Sequence, residues 1–177
     1  MDPQRVIGYH GGIPWHYKDD MKWFKEFTMG KTLLMGWNTY QSLPVRLNGR
    51  QIVVLTHSWH PSLAFNHVPK ADAVYFRYPP DHKNPYVMDV FDPKDWPDVI
   101  VAGGAKTYMM MLPYITEMYV THLTDEFEGD TYMPEFETLL PRQEIVREHK
   151  DFMVVKHYRL PELVAKPRKG HIQFVWS

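Results

Sequence analysis

The chain has 177 residues, with 20 Lys and Arg against 21 Asp and Glu, ten His and no Cys. That length suits one compact domain with one core. A formal net charge of −1 excludes a binder that works by neutralising many phosphates. The lack of Cys excludes a disulfide framework, a thiolate nucleophile and a cysteine-ligated zinc site. No apolar run approaches the roughly 18 residues a spanning helix needs, and the polar opening Met1-Asp-Pro-Gln-Arg5 lacks the apolar stretch of a secretory signal. These features point to a cytoplasmic protein with neither a membrane nor a nucleic acid as partner.

In chain order, residues 19 to 29 space Met21, Phe24 and Phe27 at intervals of three, with Lys22, Lys25 and Glu26 between them. This predicts an amphipathic helix, ended by Gly30. Short β-branched or apolar runs at Thr32 to Met35, Gln51 to Thr56, Ala73 to Tyr78, Asp98 to Ala102 and Met118 to Leu123 predict strands. Trp37 to Leu43 and Ala105 to Leu112 are helix-length connections. Strand and helix alternate, so the expected class is α/β, a mostly parallel central sheet flanked by helices. Residues 57 to 98 hold seven of the 15 prolines and read as loops around one strand, with a turn or short helix near Tyr86 to Phe91. Residues 143 to 160 predict an antiparallel hairpin turning at His149-Lys150-Asp151. A Pro-containing basic connector over 160 to 170 then leads to a strand-like run, His171 to Ser177.

Four groups of residues carry chemistry. Asp20 sits in the predicted first turn of the helix, on the face of Phe24, after Ile13-Pro14-Trp15. It reads either as an acid complementing the helix dipole or as a carboxylate held in an apolar pocket. In the second case it could accept paired hydrogen bonds from a heterocycle, with its pKa raised toward the range useful for proton delivery. Met35-Gly36-Trp37-Asn38-Thr39 and Val101-Ala102-Gly103-Gly104-Ala105-Lys106-Thr107-Tyr108 each run from a strand into a helix. Amides exposed at such starts suit a pyrophosphate, although the same turn is also the ordinary way to make a tight connection. Neither has the Gly-x-Gly-x-x-Gly pattern of a Rossmann domain. Leu47-Asn48-Gly49-Arg50 presents an Arg that reads as a solvated turn cation or as a fork for a carboxylate. Glu128-Gly129-Asp130-Thr131 reads as a surface turn. The ten His residues lack metal-ligand spacing, so no metal is expected.

Together these residues resemble the dihydrofolate reductase family. The resemblance rests on motifs in order: Arg5-Val-Ile-Gly8, Pro14-Trp15 with Asp20, Trp23-Phe-Lys25, Met35-Gly36, Asn48-Gly-Arg50, Val101-Ala-Gly-Gly104 with Tyr108, Thr121-His122 and Glu128-Gly-Asp-Thr131. It covers residues 1 to 56 and 98 to 136 well. It implies NADPH-dependent reduction of 7,8-dihydrofolate to tetrahydrofolate, with hydride transfer to pterin C6 and protonation at N5, by a cytoplasmic monomer open to antifolates.

By motif position the resemblance assigns Asp20, Ile13, Trp15 and Tyr108 to catalysis, Ile13 on a mobile loop with Gly11-Gly12 as its flexible points. It assigns Met21, Phe24, Leu43, Leu47, Arg50, Thr121, Val175, Trp176 and Ser177 to the substrate. To the cofactor it assigns Ile7, Gly36, Trp37, Asn38, Thr39, Thr56, His57, Ala102, Gly103, Gly104, Ala105, Lys106 and Tyr108, with a cis peptide between the two glycines. One residue departs from the pattern: Trp37 stands where many relatives carry an Arg that meets the cofactor's 2'-phosphate. His57, Lys106 or Arg77 could supply that charge, with Trp37 stacking on adenine instead.

A second departure concerns order. The family's sheet has a central strand ahead of the Arg-Val-Ile-Gly segment, where this chain has only Met-Asp-Pro-Gln. Reading Ile172-Gln-Phe-Val-Trp-Ser177 on into Met1 restores that opening without a gap. The expectation is a single domain over residues 1 to 177, circularly permuted, with 160 to 170 joining the original ends. Two other functions stay open: a pyrimidine reductase on the same fold, and a non-catalytic folate-binding or structural protein.

Overall fold

The apolar runs of the sequence become the middle of a sheet. A computed structural model of the protein describes residues 1–56, 73–76, 99–160 and 172–176. The elements in chain order are β1 (Val6–Gly8), α1 (Lys18–Thr28), β2 (Thr32–Gly36), α2 (Trp37–Ser42), β3 (Gln51–Thr56), β4 (Ala73–Phe76), β5 (Val99–Val101), α3 (Ala105–Met111), β6 (Glu117–Leu123), β7 (Thr131–Tyr132), β8 (Arg142–Glu148), β9 (Phe152–Tyr158) and β10 (Ile172–Trp176). The expected turn or helix at 86 to 91, the strand ends at Tyr78 and Asp98, and the connector at 161 to 170 lie outside the described residues.

Eight strands form one sheet in the order β4-β3-β2-β5-β10-β6-β9-β8. The first six in that order run parallel, and β9 and β8 add antiparallel pairs at one edge. Parallel strands covered on both faces must be apolar on both, and β2, β3, β5 and β6 supply Leu33, Leu34, Met35, Ile52, Val54, Val101, Met118 and Val120 to the core. The sheet is therefore mixed, with the mostly parallel centre expected for the α/β class.

The last strand in sequence, β10, fills the centre, with Phe174 paired to Val101 on one side and to Met118 on the other. Met1 continues that line. Its amino group donates to the Thr121 carbonyl, and its carbonyl accepts the Leu123 amide at 2.9 Å. These are the two bonds made by a residue opposite His122 in a parallel ladder, and Trp176 lies opposite Val120, two positions earlier.

Helix α1 is anchored to β6 by aromatic packing. Trp23 stacks on Phe27 with ring centroids 5.1 Å apart, and Phe27 meets Tyr119 at 4.6 Å. Burying each such ring contributes on the order of 2 kcal/mol. Trp23 is thus the residue that turns α1 toward the core, whereas Met21 is 48 % exposed and Phe24 only partly buried, so the expected apolar stripe is split between core and cleft. Gly30 ends the helix at φ 75°, a left-handed conformation that glycine adopts without a Cβ clash.

The sequence offered no sign of β1 and β7, which pair antiparallel as a separate two-stranded ribbon. Thr131, expected in a surface turn, is therefore a strand residue, opposite Gly8.

Candidate active site

The carboxyl ends of β2, β3, β5 and β10 open on one side of the sheet into a cleft of about 1380 Å³. Ligands of open α/β sheets bind at such strand ends. Each wall comes from a different element. Gly36 closes β2, Trp37, Asn38 and Thr39 follow it, and Thr56 closes β3. Ala102, Gly104, Ala105 and Lys106 follow β5, and Val175 presents β10. Ile7, Ile13 and Trp15 come from the N-terminal segment, Asp20, Met21 and Phe24 from α1, and Leu43, Leu47 and Arg50 from the chain after α2.

Asp20 is 1 % exposed, in the first turn of α1. Its Oδ1 accepts the hydroxyl of Thr121 at 2.8 Å. Burial pushes its pKa up to about 6, while the Thr121 hydrogen bond, the Met1 amino group and Arg147 pull the other way. The carboxyl therefore changes charge close to neutral pH, as a group that exchanges protons with a substrate must. The dipole-complementing reading also stands geometrically, but a buried acid facing a cleft goes beyond it.

Across the cleft Arg50 is half-buried. Its Nη1 reaches Thr28 Oγ1 at 3.3 Å, and its Nε is a buried donor with no partner among the described residues. Burial lowers the guanidinium pKa. An unpaired buried guanidinium donor costs free energy that a ligand carboxylate would return as charge-assisted bonds.

Tyr108 is fully buried, and its hydroxyl donates to the Val175 carbonyl at 3.0 Å. It braces β10 from behind and is not among the residues lining the cleft, and neither is Gly103. The peptide between Gly103 and Gly104 is cis, as the resemblance implies. Thr121, expected against the substrate, lies behind Asp20 instead. His57 and Ser177 lie outside the described residues, and Trp176 is placed by its backbone alone.

The loop ahead of α1 carries Ile13, 44 % exposed over the cleft. Tyr9 and Gly12 bridge its base, and the His10 amide donates to Asp130 Oδ2 at 2.9 Å. Trp15 is buried against Phe127 at 5.3 Å. Three cations on α1 that the motifs do not mark as site residues, Lys18, Lys22 and Lys25, also line the cleft. Their signal was available: they recur at i, i+4 and i+7, one helix face with Met21. Asp130, expected in a surface turn, and Tyr132, on a strand too short to show a period, line the cleft as well.

A buried acid, an unpaired Arg donor and paired strand-to-helix turns, at the carboxyl ends of a mostly parallel sheet, define the class: an α/β enzyme that binds its ligands in one large cleft. The particular family follows from its relatives. The family model described as "Dihydrofolate reductase" matches residues 1–154. The dihydrofolate reductase of Bacillus subtilis (strain 168) is 32% identical over 138 residues, 77% of this chain and 73% of that protein. The dihydrofolate reductase of Staphylococcus aureus (strain Mu50 / ATCC 700699) is 31% identical over 135 residues, 76% of this chain and 74% of that protein. A solved dihydrofolate reductase from Enterococcus faecalis, complexed with NADP(H) and RAB-propyl, shares the fold at a TM-score of 0.60. It is 24% identical, and the match covers 90% of this chain and 92% of that one. The chain belongs to the dihydrofolate reductase family, and it is an oxidoreductase.

Proposed function

We propose that this chain reduces 7,8-dihydrofolate to 5,6,7,8-tetrahydrofolate with NADPH and one proton, releasing NADP⁺. The observation that carries the reading is Asp20: a carboxyl buried at the cleft, titrating near neutrality, with Thr121 as its one hydrogen-bond partner among the described residues. In the proposed complex its free oxygen is an acceptor for the amidine-like edge of a pterin. It also favours proton arrival at N5 while the second substrate supplies hydride to C6. Arg50 takes the carboxylate of the glutamate tail, consistent with its unpaired buried Nε. Met21, Phe24, Leu43 and Leu47 line the space between, and Ile13 with its loop excludes water when the site closes.

The residues present fit a dinucleotide. The cleft exceeds the roughly 300–1,000 Å³ of a single-ligand pocket, and it exposes the turns at Gly36–Thr39 and Gly104–Lys106 side by side. Such a cofactor, when bound, supplies the hydride. The chain's own part is to orient the two rings and keep the site dry. The test is loss of NADPH absorbance on adding dihydrofolate, with steep loss of turnover in Asp20→Asn. Folate binding without NADPH oxidation would favour the binding-protein alternative. We also read the enzyme as a cytoplasmic monomer, and an antifolate that competes with dihydrofolate would accord with this site.

We further propose that the chain is circularly permuted, one domain over 1 to 177 with 160 to 170 joining its original ends. The support is the place of β10 between β5 and β6 and the in-register position of Met1 beyond it. A reordered chain that starts at residue 171, passes from 177 into 1 and stops at 160 should fold and turn over like this one. A reordered chain that cannot fold would refute the permutation.

A further inference from the structure

One irregularity in the sheet lies within reach of Asp20. In the β8·β9 ladder Ile145 pairs with Val155, yet Arg147 pairs with Val154, so Val146 is an extra residue. In a regular strand Arg147 would share the face of Ile145, since successive side chains alternate. The bulge reverses this, and bulges beside active sites commonly re-aim a side chain. Val154 in turn pairs with Thr121. Thr121, Val154 and Arg147 therefore form one cross-strand row over β6, β9 and β8, on the face that carries α1 and Asp20. Val154 is fully buried between them and Arg147 is half-buried, whereas the other residues of β8 are exposed.

We propose that Arg147, turned onto the α1 face by the bulge at Val146, is a positioning residue for the reaction: its guanidinium charge, acting past the buried Val154, favours the carboxylate over the carboxylic acid. Arg147 is not among the residues lining the cleft and makes no hydrogen bond or ion pair with Asp20 among the described residues, so its effect is electrostatic, carried past the buried Val154. The direction of its influence on Asp20 agrees, because it lowers a pKa that burial raises.

Other charges face the same place. The Met1 amino group lies against the Thr121 carbonyl. On α1 itself stand Lys18 and Asp19, and Asp19 Oδ2 is 3.4 Å from His149 Nε2 of the β8–β9 turn. His149 Nδ1 also lies 3.6 Å from Asp151 Oδ2, so this imidazole already has two carboxylates. Of the side chains that β8 and its turn bring to this face, Arg147 is the cation whose charge reaches Asp20.

This inference rests on the reading of Asp20 as the ionisable group of the reaction, so its test has a readout independent of turnover. Aspartate labelled with ¹³C at the side-chain carboxyl reports the titration midpoint of Asp20 by NMR in the full chain without ligands. In Arg147→Gln that midpoint should rise by about half a pH unit. Arg147→Lys should return it close to the starting value, and Arg142→Gln, exposed at the other end of β8, should leave it in place. The midpoint of the pH–turnover profile should follow the same order. An Asp20 midpoint unmoved in Arg147→Gln, or moved as far in Arg142→Gln, would overturn the proposal. A moved NMR midpoint with a stationary turnover profile would confirm the coupling and overturn the role of Asp20 in the reaction.

Discussion

Thr121 on β6 donates its hydroxyl to Asp20 Oδ1 on α1 at 2.8 Å, and both side chains are 1 % exposed. The bond is made to the charged form of the acid, so it works against the desolvation that raises the pKa. Thr121→Val keeps the shape and removes the donor. The Asp20 midpoint should then climb above about 6, and the pH–turnover profile should move upward by about one unit. A profile that stays put in a folded Thr121→Val variant would show that the hydroxyl does not tune the acid.

Asp20→Asn tests the same group through stability. The carboxyl's pKa rises from 3.8 in the unfolded chain to about 6 in the fold. A raised pKa means that the native state binds the proton more tightly. The associated stability is fully present below pH 3.8 and is lost as pH rises through 6. By linkage the loss reaches about 3 kcal/mol at pH 8. The Asn variant lacks that loss, so its urea midpoint should exceed the wild type's at pH 8 and approach it at pH 4, although its turnover collapses. A stability difference that does not change with pH would contradict the buried, neutral-leaning acid.

His122 and His157 place their Nε2 atoms 3.3 Å apart in the core beneath Phe136. Burial is the main cause that pushes His122 down from 6.5 to about 4, helped by the Met1 amino group and His157, with Glu137 opposing. Burial likewise lowers His157. The sign is opposite to that of Asp20: stability is present above 6.5 and lost as pH falls through 4. The loss is about 3 kcal/mol. Between pH 4 and 6 the two groups work against each other, so wild-type stability should be nearly flat there. His122→Gln should remove the acid-side loss and leave a curve that rises as pH falls. A His122→Gln curve parallel to the wild type's would refute the assignment.

How much of this was legible in the sequence depended on whether a segment's own side chains decided its placement. Strands β2, β3 and β6 announced themselves because burial on both faces demands apolar runs such as Leu33-Leu34-Met35. Asp20 announced itself through Trp15, Phe24 and the helix start around it. The ribbon of β1 and β7 did not, since three and two residues leave no period to read. The bulge at Val146 left only a break in alternation, the adjacent apolar pair Ile145-Val146, and only pairing with β9 shows that Arg147 changes face. The residues around Arg50 left a solvated turn cation and a carboxylate fork both open, because its unpaired Nε exists only once Thr28 and the turn at Gly49 are folded against it. Tyr108, expected at the site by motif position, gave no sequence sign of its fold role: its hydroxyl donates to the Val175 carbonyl from outside the residues lining the cleft.

Trp37 opens α2 at the side of the cleft that we assign to the cofactor and packs on Tyr40 with ring centroids 5.5 Å apart. Among the described residues of that wall Lys106 is the cation, and a 2'-phosphate of a bound dinucleotide would draw on it. Trp37→Arg adds a planar, permanently charged fork beside the same position. A charge-assisted contact of that kind is worth about 1.5 to 3 kcal/mol, so the Michaelis constant for NADPH should fall by about tenfold or more. The constant for NADH, which lacks the phosphate, should change little. Comparing the two cofactors in the wild type, Trp37→Arg and Lys106→Gln separates the contributions. Equal behaviour of NADPH and NADH in Trp37→Arg would remove residue 37 from cofactor selection. A loss of NADPH preference in Lys106→Gln would then assign the phosphate to α3.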